Sequence, residues 1–346
     1  MACINDSFGR PINYLRISIT DRCNLRCVYC MPEEGVVTRP HEEILRFEEI
    51  LTIVRAAVEL GINKVRITGG EPLVRGGVVD FIRELSAIEG LDDIALTTNG
   101  ILLTRFATAL REAGLKRVNV SLDTLKPERF RRITRFGNLE DALAGIEAAE
   151  DAGLKPVKIN CVAVRGTNDD EIPDFCRLTL SREWHVRFIE LMPVGDTGLA
   201  GEDQTSCSQG GGAGVTSAGD SAFISLDEIR QSAQTVGELI PCGEVSGGGP
   251  AKYYRYPNAK GTVGFIGPVT EHFCVSCNRL RLTADGRLRP CLLSSQEIQL
   301  REKMRAGAGI AEVKQILADA IWAKPQRHML QEQGPTQGRM MSQIGG

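Results

Sequence analysis

Between residues 14 and 192 the sequence repeats one unit, a short β-branched run followed by a longer amphipathic one. Such alternation marks βα units around a parallel sheet, and it restricts the chain more than any other feature. Strands are expected at Tyr14–Thr20, Lys64–Thr68, Ile94–Thr98, Arg117–Leu122, Val157–Val164 and His185–Met192. Helices are expected near Glu48–Leu60, Val78–Ile88, Arg105–Ala113, Leu139–Ala152 and Glu171–Leu180. Gly61, Gly114 and Gly153 each follow such a run, where a left-handed cap ends a helix. Six strands joined by right-handed crossovers predict an α/β fold, a partial (β/α)6 barrel. A flat doubly wound sheet is the other arrangement of the same units.

At 346 residues the chain has room for about two domains. The barrel is expected over 1–198 and a smaller C-terminal α+β domain over 223–346. Between them, residues 199–222 are rich in Gly and Ser and poor in large apolar residues, too little to bury, and are expected to be a flexible insertion. The C-terminal part carries expected helices near Leu226–Ala233, Gln296–Met304 and Ile310–Trp322, strands at Lys252–Tyr256 and Thr262–Ile266, and a hairpin turning at Asp285-Gly286. A net charge of −3 offers no concentrated basic face for a nucleic-acid backbone. No stretch approaches the ~20 apolar residues of a membrane span, so a soluble cytoplasmic protein is expected.

Within the strands, side chains alternate between faces. Leu15, Ile17 and Ile19 oppose Arg16, Ser18 and Thr20; Val65 and Ile67 oppose Lys64, Arg66 and Thr68; Val118 and Val120 oppose Asn119 and Ser121; Ile159 and Cys161 oppose Lys158 and Asn160. If the apolar face meets the helices, Arg16, Arg66 and Lys158 point into the barrel, where buried cations are costly without an anion. A phosphorylated substrate satisfies them; internal pairing with Glu71, Asp123 or Glu190 is the alternative.

Of eleven cysteines, six form two groups, Cys23, Cys27 and Cys30, then Cys274, Cys277 and Cys291. Disulfide frameworks belong to small secreted domains, so these groups point to metal. Cys3, Cys161, Cys176, Cys207 and Cys242 are scattered and read as ordinary thiols. The CxxxCxxC of CNLRCVYC directly follows the first strand. Three thiolates on one loop suit a [4Fe–4S] cluster with one iron left open, whereas structural zinc takes a fourth Cys or His. The CxxC at Cys274 and Cys277, followed by thirteen residues and then Cys291, suits a cluster or, with His272, a zinc site. In parallel barrels working residues gather at the C-terminal ends of strands. There the sequence places the Cys loop, Gly69-Gly70-Glu71, Thr97-Thr98-Asn99, Ser121-Leu122-Asp123 and Met192-Pro193.

CNLRCVYCMP followed about forty residues on by RITGGEPL resembles the radical S-adenosylmethionine (SAM) superfamily. Together with CxxCx13C in NRLRLTADGRLRPCL and the final Gly345-Gly346, the chain resembles the GTP 3′,8-cyclase family of molybdenum cofactor biosynthesis over nearly its whole length. The resemblance implies a SAM cluster on Cys23, Cys27 and Cys30, and SAM contacts from Tyr29, Gly70, Ser121 and Met192. It implies GTP held by Arg16, Arg66, Thr97, Lys158, Arg279, Leu280 and Arg281. A second [4Fe–4S] cluster on Cys274, Cys277 and Cys291 would touch the guanine, with Arg279 and Arg281 beside it and the Gly345-Gly346 tail inserted toward the site. The implied reaction is abstraction of the ribose C3′ hydrogen by a 5′-deoxyadenosyl radical, attack on guanine C8, and one-electron reduction. The implied partners are an unidentified electron donor and a cyclic pyranopterin monophosphate synthase that receives the product; a homodimer is one assembly open to the chain, whose oligomeric state the sequence does not give. The long insertion departs from that family, and so does Phe136-Gly137-Asn138, a stretch more often charged there.

Overall fold

The computed structural model describes residues 3–194, 222–243, 245–328 and 338–345. Apart from Ala222, the expected insertion at 199–222 lies outside them, as do Cys207 and Gly346.

Six strands, β1 (Tyr14–Ser18), β2 (Lys64–Thr68), β3 (Asp93–Thr98), β4 (Arg117–Ser121), β5 (Lys158–Ala163) and β6 (His185–Glu190), pair in parallel in that order. The connecting helices are α1 (Phe47–Glu59), α2 (Val78–Ser86), α3 (Leu103–Glu112), α4 (Pro127–Thr134), α5 (Leu139–Asp151) and α6 (Ile172–Ser181). This is the expected (β/α)6 unit. Its core lies between the sheet and the helices, where Leu15, Ile17, Val65, Ile67, Val118, Val120 and Ile159 are buried against residues such as Ile53, Phe81, Leu110 and Ile146. The apolar half of each alternation therefore faces outward to the helices, at ~2 kcal/mol per buried aliphatic side chain.

Beyond residue 222 follow α7 (Leu226–Gln234), β7 (Ile240–Pro241), β8 (Lys252–Arg255), β9 (Thr262–Ile266), β10 (Arg279–Leu282), β11 (Arg287–Arg289), β12 (Ile298–Gln299), α8 (Arg301–Arg305), α9 (Ile310–Trp322) and α10 (Met341–Ile344). These strands form no sheet of their own. β9 runs parallel to β6 and β10 parallel to β1, giving one twelve-stranded sheet ordered β12-β11-β10-β1-β2-β3-β4-β5-β6-β9-β8-β7. The C-terminal segment thus extends both edges of the barrel. The hairpin between β10 and β11 turns at Asp285-Gly286 as expected, with Gly286 at φ 77.

Two expectations fail locally. The helix expected near Gln296–Met304 begins instead as strand β12, which pairs with β11, and only Arg301–Arg305 is helical. The unforeseen α4 carries the sequence PERFRRIT, in which only Phe130, Ile133 and Thr134 are buried.

Candidate active site

The loop after β1 bears the first cysteine trio and is held from several sides. Leu25 N donates to Cys23 Sγ at 3.4 Å, and Cys30 N to Cys27 O at 2.9 Å. The loop passes directly over the turn after β2, where Gly70 N donates to Thr20 O and Glu71 N to Arg22 O, both at 2.8 Å. A Cβ on Gly70 would stand 2.4 Å from Arg22 O, so only glycine allows this approach. Glu71 is buried, and its carboxylate accepts from Leu73 N (3.0 Å), Thr98 Oγ1 (2.8 Å) and Asn99 N (2.7 Å), tying the ends of β2 and β3 together. Burial outweighs those hydrogen bonds and raises its carboxyl to about 7. Asp123 binds Tyr29 Oη at 2.6 Å and Val162 N at 2.8 Å.

Above the strand ends a chamber is lined by Cys23, Cys27, Cys30, Tyr29, Gly70, Thr97, Ser121 and Met192 together with Arg16, Arg66, Arg187, Arg279 and Arg281. Contributions from β1 through β6 and from β10 meet there only because the sheet curves. Arg281, Arg16 and Arg66 are register partners on three adjacent strands, which sets three like charges roughly 5 Å apart strand to strand. Burial, then Arg281 and Arg66, pulls Arg16 well below its ordinary value. Burial is also the main reason that Arg66 and Arg281 each fall to about 10. The Nε atoms of Arg66, Arg187 and Arg279 are buried without a protein partner, as are Tyr14 Oη, Thr97 Oγ1 and Asn160 Oδ1. Among the described residues, the candidate carboxylates Glu71, Asp123 and Glu190 do not pair with Arg66, Arg187 or Arg279. Glu71 and Asp123 are committed as described, and Glu190 accepts from Leu226 N (3.0 Å), Val269 N (2.9 Å) and Thr270 N (3.0 Å). Orphaned donors around a cluster of buried cations match a polyanionic ligand.

Arg187 is the residue that sequence reasoning missed. It lies on β6 opposite the buried Val186 and Phe188, so the period-two argument applied to four other strands would have found it. Its Nη2 donates to Asn119 Oδ1 at 2.8 Å. Leu280, by contrast, is fully buried in the core cluster and is not among the residues that line the chamber. Lys158, expected among the ligand-holding cations, is fully buried and is not among the residues that line the chamber; its Nζ donates to Ser246 O at 2.7 Å. Burial, reinforced by Arg187, Arg66 and Arg117, lowers its ammonium to about 6.

Lys158 carries a pH prediction. Near pH 7.5 the ligand-free protein holds it mostly neutral, and a bound polyphosphate would restore its charge, so binding takes up a proton. Affinity for a nucleoside triphosphate should then fall by up to about tenfold per pH unit above pH 6, until the ligand-bound pKa is passed. Titration calorimetry in two buffers of different ionisation enthalpy reads the proton directly, and Lys158→Met should abolish it. Identical proton uptake in the variant would show that another group titrates.

The second trio flanks the chamber through its neighbours: Phe273, Arg279 and Leu292 line it. Arg10 Nη1 donates to Cys274 O at 2.7 Å. Lys324 Nζ donates to Arg279 O at 2.9 Å and to Pro290 O at 2.7 Å, joining the arms that carry Cys277 and Cys291. Burial alone would raise the Cys277 thiol, yet Arg279 and Lys324 bring it down to about 7. His272 directs Nδ1 to His328 Nε2 at 2.9 Å. Among the described residues no three His, Cys, Asp or Glu side chains converge on one ion position, as a mononuclear zinc shell requires. A cubane takes each thiolate at a separate corner. The ten described cysteines are all free thiols. Burial, then Cys30, Asp123 and Cys23, raises the Cys27 thiol well above its ordinary value; such crowded sulfurs are relieved by a cationic cluster, so the first trio fits one. The tail reaches the same place: Arg281 Nη1 donates to Gly345 O at 2.9 Å, and Met341 and Ser342 line the chamber.

Residues 17–179 match the family model of the radical SAM superfamily, and residues 212–330 match that of Molybdenum Cofactor Synthesis C. In fold the chain is similar to Streptococcus suis SuiB, solved bound to S-adenosylmethionine, with a TM-score of 0.57 at 14% identity over 92% of this chain and 68% of that one. The curved α/β sheet with its cysteine loop is that of a radical SAM protein. The GTP 3′,8-cyclase of Pelotomaculum thermopropionicum is 55% identical over 99% of this chain and 100% of that protein. The GTP 3′,8-cyclase of Moorella thermoacetica is 51% identical over the same shares. The chain belongs to the GTP 3′,8-cyclase family. Among the described residues no helix is long and apolar enough to cross a membrane.

Proposed function

We propose that this chain converts GTP to (8S)-3′,8-cyclo-7,8-dihydroguanosine 5′-triphosphate, the first step of molybdopterin biosynthesis. The observation that carries the reading is the in-register row Arg281, Arg16 and Arg66 beneath a rim that holds Cys23, Cys27 and Cys30. When bound, a cluster on that trio together with SAM supplies hydrogen-atom abstraction, and a cluster on Cys274, Cys277 and Cys291 supplies an open iron for the guanine.

The chain's own residues fix geometry. Tyr29, Gly70, Ser121 and Met192 hold SAM beside the first trio. Arg16, Arg66, Arg187 and Lys158 neutralise the triphosphate, Thr97 contributes a hydroxyl, and Arg279 and Arg281 reach from β10 toward the second trio. Anchoring the triphosphate at one end fixes the ribose at the other, and a 1 Å misplacement costs ~100-fold in rate. Met341, Ser342 and Gly345 close the chamber from the tail side and limit water.

The test is anaerobic incubation of the reconstituted protein with SAM, dithionite and either GTP or ATP. GTP should give 5′-deoxyadenosine together with a cyclised nucleotide, and ATP should give no cyclised product. Cyclisation of neither nucleotide overturns the reading.

A further inference from the structure

One surface next to the first trio is not used by the chemistry above. The C-terminal end of α4 docks on the cysteine loop, where Arg26 N donates to Thr134 O and Val28 N to Ile133 O, both at 2.9 Å. Arg135 then adopts φ 61, an unfavourable left-handed conformation for a residue with a Cβ. Its Nη1 turns back to Arg26 O at 2.9 Å and Met31 O at 3.1 Å. Gly137, at φ 80, is pressed so closely on the loop that a Cβ there would stand 3.0 Å from Leu25. Between these two anchored residues Phe136 projects outward with 55% of its surface exposed. Arg131 and Arg132 are exposed on the same helix, and Arg26 and Arg135 are half-buried at its foot. Arg131 Nη2 reaches Asn138 Oδ1 at 3.2 Å, which places it against the Phe136 turn. Earlier on this stretch, Lys126 and Arg129 are neutralised by Asp170. Arg26, Arg131 and Arg135 instead spend their hydrogen bonds on carbonyl or amide oxygens, and Arg132 is exposed beside them. An exposed aromatic ring thus stands amid cations on a chain of net charge −3.

We propose that this face, Phe136 ringed by Arg26, Arg131, Arg132 and Arg135, docks an acidic one-electron carrier protein that reduces the cluster of the first trio. The inference rests on the function proposed above, which consumes electrons that the chain does not itself generate. In the docked step the carrier is oxidised by one electron and the cluster is reduced by one, with no bond or proton moved. Charge complementarity selects the partner: an acidic face is drawn to the arginines, and the exposed ring supplies the apolar anchor of the contact.

The test uses the reconstituted full chain and two probes, an acidic flavodoxin and an acidic [2Fe–2S] ferredoxin. R131E/R132E and, separately, Phe136→Ser alter only the exposed face. Each should weaken the Kd for at least one carrier by about tenfold or more, and the charge reversal should also flatten its salt dependence. Formation of 5′-deoxyadenosine driven by the reduced carrier should fall in parallel, while the dithionite-driven rate is unchanged. Unaltered carrier Kd, no binding of either carrier to the unsubstituted chain, or an equal loss with dithionite overturns the proposal. So does tighter binding of a single-stranded oligonucleotide than of either carrier at this face, or self-association through it. Failure of the dithionite-driven reaction in the unsubstituted chain would instead indict the proposed function, and the carrier Kd remains readable in that case.

Discussion

Arg66→Met should make the ligand-free protein more stable and, at the same time, weaken GTP binding by roughly 30- to 150-fold. The two effects have one cause. Arg66 is 6% exposed, stands in register beside Arg16, and leaves its Nε without a protein partner. Methionine fills similar volume without the buried charge or the orphaned donor, and replacement of buried ionic groups by apolar ones of like size is often stabilising. A gain of about 1–3 kcal/mol is expected, read as a rise of about 1–4 °C in Tm. A pH scan cannot substitute for the mutation. With a folded pKa of about 10 against an ordinary 12.5, the unfolded chain binds more protons only between those values, above any working pH. In the presence of GTP the order should reverse, because a lost charge-assisted contact to phosphate removes about 2–3 kcal/mol of binding. Differential scanning calorimetry with and without GTP reads both signs. A fall in Tm of the ligand-free variant would mean that Arg66 is a structural residue, and the polyanion site would lose one end of its arginine row.

That trade of stability for binding explains why part of this site was legible in the sequence. Arg16, Arg66, Asn119, Ser121 and Asn160 sit on strands whose other face is apolar, and period two assigns them to the interior without any structure. The Cys loop and the Gly-Gly-Glu turn are local as well, since each lies within a few residues of a strand end. What was not legible is long-range. β10 pairs with β1 across most of the chain, and no local pattern in RLRL announces that its arginines complete a row begun at Arg16. The same holds for Ile298–Gln299, whose strand state depends on β11, and for α4, whose two apolar anchors and many charges give little intrinsic signal. Its end is fixed by carbonyls handed to the cysteine loop. Leu280 shows the opposite limit: family resemblance names three consecutive residues, and alternation on β10 sends only the first and third side chains inward.

Lys324→Met should cost the protein half of its iron. Lys324 is 3% exposed, and its Nζ is the donor shared by Arg279 O and Pro290 O. One ammonium therefore holds together two chain segments, each within two residues of a thiol of the second trio, that no disulfide joins. It also acts on Cys277, which burial would raise and which Arg279 and Lys324 instead hold at about 7. Removing the ammonium takes away one of the two cations that offset burial, so the Cys277 thiol rises and its thiolate fraction at pH 7.5 drops. Ligands must be deprotonated to bind metal, so cluster assembly loses both its geometry and its charge state. Iron after anaerobic reconstitution should fall from about eight to about four per chain, with the trio at Cys23, Cys27 and Cys30 retained, because Lys324 donates to the arms of the second trio. Formation of cyclised nucleotide should then fall at least ~100-fold, while 5′-deoxyadenosine continues to form without coupling to product. Full iron in the variant would show that the second trio assembles without this ammonium. One zinc and four iron per unsubstituted chain would make the second trio a structural metal site, and the guanine would have to be held by Arg279 and Arg281 alone.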